Sequence, residues 1–153
     1  MSRYAENTAV SSEQSRAEIE KTLRRYGATG FMYGWQETQA VVVFDFNKKR
    51  VRFTLFMPDQ NERRFTHTEH RNTPRTKEQA YKEWEQACRQ RWRALALVIK
   101  AKLEAVETGI TTFEEEFLAH IVVRDGRTVG ETLIPSINEL ANGQMQVMKL
   151  LTS

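Results

Sequence analysis

A chain of 153 residues with 40% hydrophobic and 28% charged side chains is long enough to bury a core and too apolar for a disordered tail. No apolar run approaches the roughly 20 residues that span a bilayer, and the opening MSRYAENTAVSSEQSR lacks the apolar centre of a secretory signal. The single cysteine, Cys88, has no partner for an internal disulfide, so the expectation is one soluble, cytoplasmic domain without a membrane partner.

Residues 1–10 read as a flexible arm. Ser11 followed by Gln14 is a capping box that opens a helix to about Tyr26, with Ile19, Leu23 and Tyr26 on one face and Gly27 as its stop. From Gly30 the period changes. FMYGW, AVVVFDF and VRFTLFM are rich in aromatic and β-branched residues, which predicts a three-stranded antiparallel meander. Val42, Phe44 and Phe46 alternate with Val43 and Asp45, and Val51, Phe53 and Leu55 alternate with Arg52 and Thr54. One face is therefore apolar, the other carries Asp45, Arg52 and Thr54, and NKKR turns between the last two strands. Residues 58–76, PDQNERRFTHTEHRNTPRT, form a long basic loop in this reading, a length that usually marks function or disorder.

Thr76 begins a helix that continues to about Thr108, roughly 48 Å at 1.5 Å per residue. On a helical wheel Tyr81, Trp84, Cys88, Trp92, Leu95, Ile99, Leu103 and Val106 share an arc of about 100°, the width of a core-facing stripe. Trp84 and Trp92 are thus expected against Phe44, Phe53 and Leu55, and Cys88 is an inert thiol. Beside the stripe lies a ridge of Lys82, Arg89, Arg93 and Lys100. Glu85 precedes Arg89 by four residues, the favourable order for an ion pair, whereas Arg93 and Lys100 have no acid at that spacing. Thr112 with Glu115 and Thr128 with Glu131 cap two short C-terminal helices, and Pro135 is expected to kink the second, which runs to about Ala141, or to delay its start. The fold class is α+β: N-terminal helix, three-stranded antiparallel sheet, long helix packed on the sheet, two short C-terminal helices. The domain spans 11–142, with a tail at 143–153.

Charge is unevenly spread. Residues 1–47 carry a balance of −1, residues 48–105 a balance of +8 and residues 106–153 a balance of −4. A concentrated positive middle is the footprint of a polyanion partner, although the same bias also serves solubility. The candidate contact residues are Lys48, Lys49, Arg50 and Arg52 of the hairpin, Arg63, Arg64, Phe65, Arg71, Arg75 and Lys77 of the connection, and Arg89, Arg93 and Lys100 of the helix ridge. Arginine suits forked contacts to phosphate, and an interleaved aromatic such as Phe65 suits base stacking.

Catalytic constellations are missing. There is no GxxxxGK[ST], GxGxxG, GxSxG or CxxC, and no Glu-x-Lys or Asp-x-Lys, so phosphate-loop, dinucleotide, hydrolase and nuclease readings have no foundation. His67 and His70 in HTEH lack nearby third and fourth ligands, and His120 lies far off on an apolar face. Asp45 and Asp59 are too few for a divalent-metal site. The run Glu114–Glu116 fits the first turn of a helix, where the dipole favours carboxylates. No cofactor, metal or enzymatic activity is expected.

The segments TGFMYGW, VRFTL, EQACRQRWRALALVIKAKLEAVETGI, FEEEFLAHIV and DGRTVGE resemble a family of small, largely uncharacterised proteins carried by phages and bacterial mobile elements. The resemblance covers most of the chain, is strongest in the long helix, and departs in the tail NGQMQVMKLLTS. It implies a mobile-element setting near replication and recombination functions in a bacterial host cell, and it brings no catalytic residues. The α-β-β-β-α order is similar to double-stranded-RNA-binding domains in topology only. There the second helix starts with basic residues, but here TKEQAYKEWEQA mixes acid with base. The expected function is non-enzymatic binding of DNA, single-stranded or at junctions, through the basic rim. The alternative is a protein inhibitor of a host defence complex, of the anti-CRISPR or another anti-defence type. A homo-oligomer is compatible with both.

Overall fold

Ser11 Oγ accepts a hydrogen bond from the Gln14 N–H at 3.1 Å, and Gln14 Oε1 accepts one from the Ser11 N–H at 3.0 Å. This reciprocal cap satisfies two donors that the first helical turn leaves without partners. In the computed structural model, which describes residues 8–142, helix α1 follows over Ser12–Tyr26. Gly27, at φ +100°, closes it with a left-handed cap. The expected arm lies outside the described residues except for its last three, where the Thr8 carbonyl accepts from Gln86 Nε2 at 2.8 Å. The expected tail 143–153 lies wholly outside them.

The sheet is the predicted meander, β1 (Gly30–Gln36), β2 (Gln39–Phe46) and β3 (Lys49–Phe56), in the order β1-β2-β3 with both pairings antiparallel. Asn47 and Lys48 turn β2 into β3 with φ of 50° and 61°, the left-handed pair that a type I′ hairpin turn requires. Register places Phe31 opposite Phe44 and Phe44 opposite Val51, with Tyr33, Val42 and Phe53 forming the next row. Side chains directly opposite share a face, so these rows build the core side while Met32, Val43 and Arg52 build the other.

Helix α3 spans Lys77–Glu107 and starts at a second capping box, Thr76 with Gln79. With α1 and the short α4 (Phe113–Phe117) it covers the apolar face of the sheet, burying Ile19, Val42, Phe44, Ile99, Leu103 and Phe117 in one cluster. Phe117 meets both Phe44 and Phe53 edge-on, with centroids at 5.8 and 6.3 Å, the geometry aromatic rings prefer. Among the described residues no helix is long and apolar enough to cross a membrane.

Two expectations change. Trp92 is buried as expected in the cluster that holds Phe44 and Phe53, with Tyr33 as its edge-on ring partner at 5.5 Å, but Trp84 differs. Trp84 is half-buried, stacks obliquely on Tyr81 at 5.5 Å and donates Nε1–H to the Pro58 carbonyl at 2.7 Å. Tyr81 is 52% exposed. The wheel is right about direction and wrong about extent: the first turns of α3 face the 58–76 connection, and deep burial begins at Cys88.

Second, that connection is not a structureless loop. It contains helix α2 (Arg63–Thr66) and a small antiparallel bridge between His67 and Pro74. Backbone bonds Thr68 N–H to Thr73 O (2.8 Å) and Arg75 N–H to Thr66 O (2.7 Å) hold it. Phe65, buried to 4% exposure, anchors it. A single apolar residue among charges carries no periodicity, so its burial was not readable from the sequence.

The kink expected at Pro135 is present: the last helix divides into α5 (Val129–Leu133), a 3-10 turn at Ile134–Ser136 and α6 (Ile137–Ala141). Pro135 sits in that turn, where its missing N–H and ring interrupt the ladder.

Candidate nucleic-acid interface

The expected rim divides by what each cation already touches. On the hairpin, Arg50 clasps the Asp45 carboxylate with Nε at 2.8 Å and a terminal nitrogen at 2.9 Å. The same bonds hold Asp45 below its ordinary range and raise Arg50 above its own. Lys49 reaches Glu114 at 3.0 Å and lowers the proton affinity of that carboxylate. Arg52 is held by Glu131 and by the Gly126 carbonyl at 2.8 Å. Of the hairpin group, only Lys48 stands exposed with no ion pair among the described residues.

The helix ridge is similarly occupied. Arg89 bonds Glu85 at 2.7 Å and Gln86 beside it, and Arg93 crosses to Glu18 of α1. Arg93 lacks an acid four residues earlier in its own helix, and tertiary packing supplies one from another. Lys100 stays exposed with no ion pair among the described residues. The continuous rim is therefore a correction: Lys49, Arg50, Arg52 and Arg93 tie one element to another and Arg89 is paired within its own helix, and paired charges offer less to a phosphate.

The basic connection is different. Arg63 Nε donates to the neutral Asn72 side chain at 3.0 Å, and Arg75 donates to the carbonyls of Arg64 (2.8 Å) and Phe65 (3.2 Å). These partners position the guanidinium groups without neutralising them. Arg64 is paired with Glu62 at 2.5 Å and lies 4.5 Å over the Phe65 ring. Arg63, Arg64, His67 and Arg75 line a cleft of about 440 Å³ together with Thr68, Asn72, Glu69 and Glu83. Arg71 and Lys77 are exposed in the same segment, with no ion pair among the described residues.

Phe65 is the second correction at the site. Its ring is buried and its exposed side is covered by Arg64, so it cannot stack on a base. Sequence reading also missed Asn72, Glu69 and Glu83 as lining. Asn72, at φ 52°, was legible as a turn residue, but Glu83 reaches the cleft only because α3 passes beneath it.

Other titratable groups have structural explanations. Burial, then Glu85, pushes the Cys88 thiol up to about 11, which leaves it protonated. His120 stacks on Phe53 at 4.0 Å and is held below its ordinary value by burial and by Lys102. Among the described residues no group of three or more His, Cys, Asp or Glu gathers where a metal could be held. Compared with protein-family models, curated proteins and solved structures, the chain has no match.

Proposed function

We propose that this protein is a non-enzymatic nucleic-acid-binding accessory protein whose contact surface is the folded segment 63–77. The observation that carries the reading is the set of guanidinium groups at one cleft, two of which, Arg63 and Arg75, are oriented by neutral acceptors. Such forks suit phosphate oxygens. Arg71, Lys77 and the more distant Lys48 and Lys100 extend the positive field. The resemblance of the long helix supports a phage or mobile-element setting in a bacterial cytoplasm, with DNA as the partner.

The test is fluorescence anisotropy with labelled single-stranded, duplex and junction DNA at several salt concentrations. Contact with about 3–5 phosphates gives a log–log salt slope of about −2 to −4. Exchanging Arg63, Arg71 and Lys77 for Gln weakens binding to all sequences alike and flattens the slope. Exchanging Arg50 and Arg93 changes Tm more than affinity. Wild-type affinity no tighter than about 10⁻⁵ M at low salt, within the non-specific range, overturns the reading.

One observation favours a second reading, an inhibitor of a host defence complex. Glu69 and Glu83 stand beside the arginines, a mixed lining suited to a protein surface carrying both signs. Capture of a partner from nuclease-treated host lysate, lost in the Arg63→Gln, Arg71→Gln variant, supports that reading over DNA.

A further inference from the structure

The two edges of the sheet are treated differently. β3 is covered by an antiparallel bridge from Val51 to Ile121 and by the Val122 N–H bonded to the Arg50 carbonyl at 2.8 Å. β1 pairs only with β2 among the described residues. Its seven residues, GFMYGWQ, contain no charge and no proline, the devices that normally block strand-to-strand association. Met32 is 57% exposed, Tyr33 39% and Trp35 72%.

We propose that β1 is the interface of a two-fold homodimer, in which it pairs antiparallel with β1 of a second copy about Tyr33. The two-residue turn makes Gln36 and Gln39 a hydrogen-bonded pair. Alternation along an antiparallel ladder then points the N–H and C=O groups of Phe31, Tyr33 and Trp35 to the open edge. A two-fold through Tyr33 uses all of them, with Tyr33 facing its own copy and Phe31 facing Trp35.

Side chains match in that register. Phe31, Tyr33 and Trp35 share the core face, so the junction carries aromatic cross-strand pairs. On the other face Met32 lies opposite Gly34, where an added Cβ would meet nothing within 4 Å; the long side chain meets open space. Arg16 covers the Tyr33 ring at 4.6 Å and is neutralised by Glu13 at 3.5 Å, so no bare charges oppose each other at the axis. Any other register breaks one of these matches.

Area sets the strength. At about 200 Å² per large side chain, the exposed parts of Met32, Tyr33 and Trp35 amount to about 340 Å² per copy. With the backbone edge added, the total stays at or below the roughly 1,200 Å² at which standard-size interfaces begin. The dimer is therefore weak and concentration-dependent, with Kd on the order of 10–100 μM.

Sedimentation equilibrium across that range reads the proposal directly. Wild type shifts from monomer to dimer, and Met32→Lys with Trp35→Lys stays monomeric with unchanged circular dichroism. Register is tested by oxidative cross-linking. In the proposed pairing Met32 and Gly34 face each other across a non-hydrogen-bonded site with Cα atoms about 4.5 Å apart, within disulfide reach. A mixture of Met32→Cys and Gly34→Cys chains gives a disulfide heterodimer, and neither chain alone does. A wild type that stays monomeric to about 1 mM, well above the expected Kd, overturns the proposal. So do a lysine variant that still dimerises and cross-linking of either cysteine chain alone.

Discussion

A terminal nitrogen of Arg52 donates to both carboxylate oxygens of Glu131, at 2.9 and 2.8 Å. This pair fastens the C-terminal α5 to the outer face of β3. Glu131 has a second role, because its Oε2 also accepts the Thr128 N–H at 2.9 Å and so completes the cap of α5. The Thr128 N–H, then Arg52, holds this carboxyl below its ordinary value of 4.5.

A carboxylate whose folded pKa is depressed adds stability above its ordinary pKa and loses it as pH falls through the folded value. Wild-type Tm is therefore flat at neutral pH and falls on acidification below about 4.5. Glu131→Gln starts from a lower Tm and shows a shallower acid decline. A thermal-unfolding series from pH 7 to pH 3 checks it; identical slopes for both proteins defeat it.

The two tryptophans of α3 differ in consequence. Trp92→Ala removes a fully buried indole and costs about 3–5 kcal/mol. Trp84→Phe mainly loses the bond to the Pro58 carbonyl, a change of about 0.5–1.5 kcal/mol. Urea unfolding ranks them, and equal losses contradict the burial difference.

Gly130 is the place where a methyl group does not fit. A Cβ there lies 2.8 Å from the Ala119 carbonyl oxygen and 3.3 Å from the Ala119 Cβ. Alanine for glycine in a helix ordinarily stabilises by about 0.5–1 kcal/mol. Here the sign reverses, and Gly130→Ala destabilises by about 1–3 kcal/mol through overpacking. A urea midpoint above that of wild type refutes the contact.

Cys88 reports on the same packing. A thiol raised from 9.0 to about 11 has about 100-fold less thiolate at pH 8 than a free one, and the thiolate is the reactive form. Reaction with a disulfide reagent is slower by at least that factor in native protein and reaches the free-thiol rate in denaturant. Equal rates place Cys88 at the surface.

Much of the fold was determined by short-range sequence. The capping boxes at Ser11 and Thr128 formed as their spacing predicts, because a cap depends on residues three apart. The meander and its apolar face were legible in the alternation of Val42, Phe44, Val51 and Phe53, since side-chain direction in a strand has period two. The fate of the charges was not. Arg52 meets Glu131 from 79 residues away and Arg93 meets Glu18 from 75, and no composition window contains both partners. Counting charge along the chain found a basic middle, but only tertiary structure decided that Lys49, Arg50, Arg52 and Arg93 are taken up as ties between elements. It also decided that Phe65 is an anchor and that Arg63 and Arg75 are left oriented by neutral acceptors. Ion pairing is set by distance in space, and distance in space is what a linear pattern does not contain.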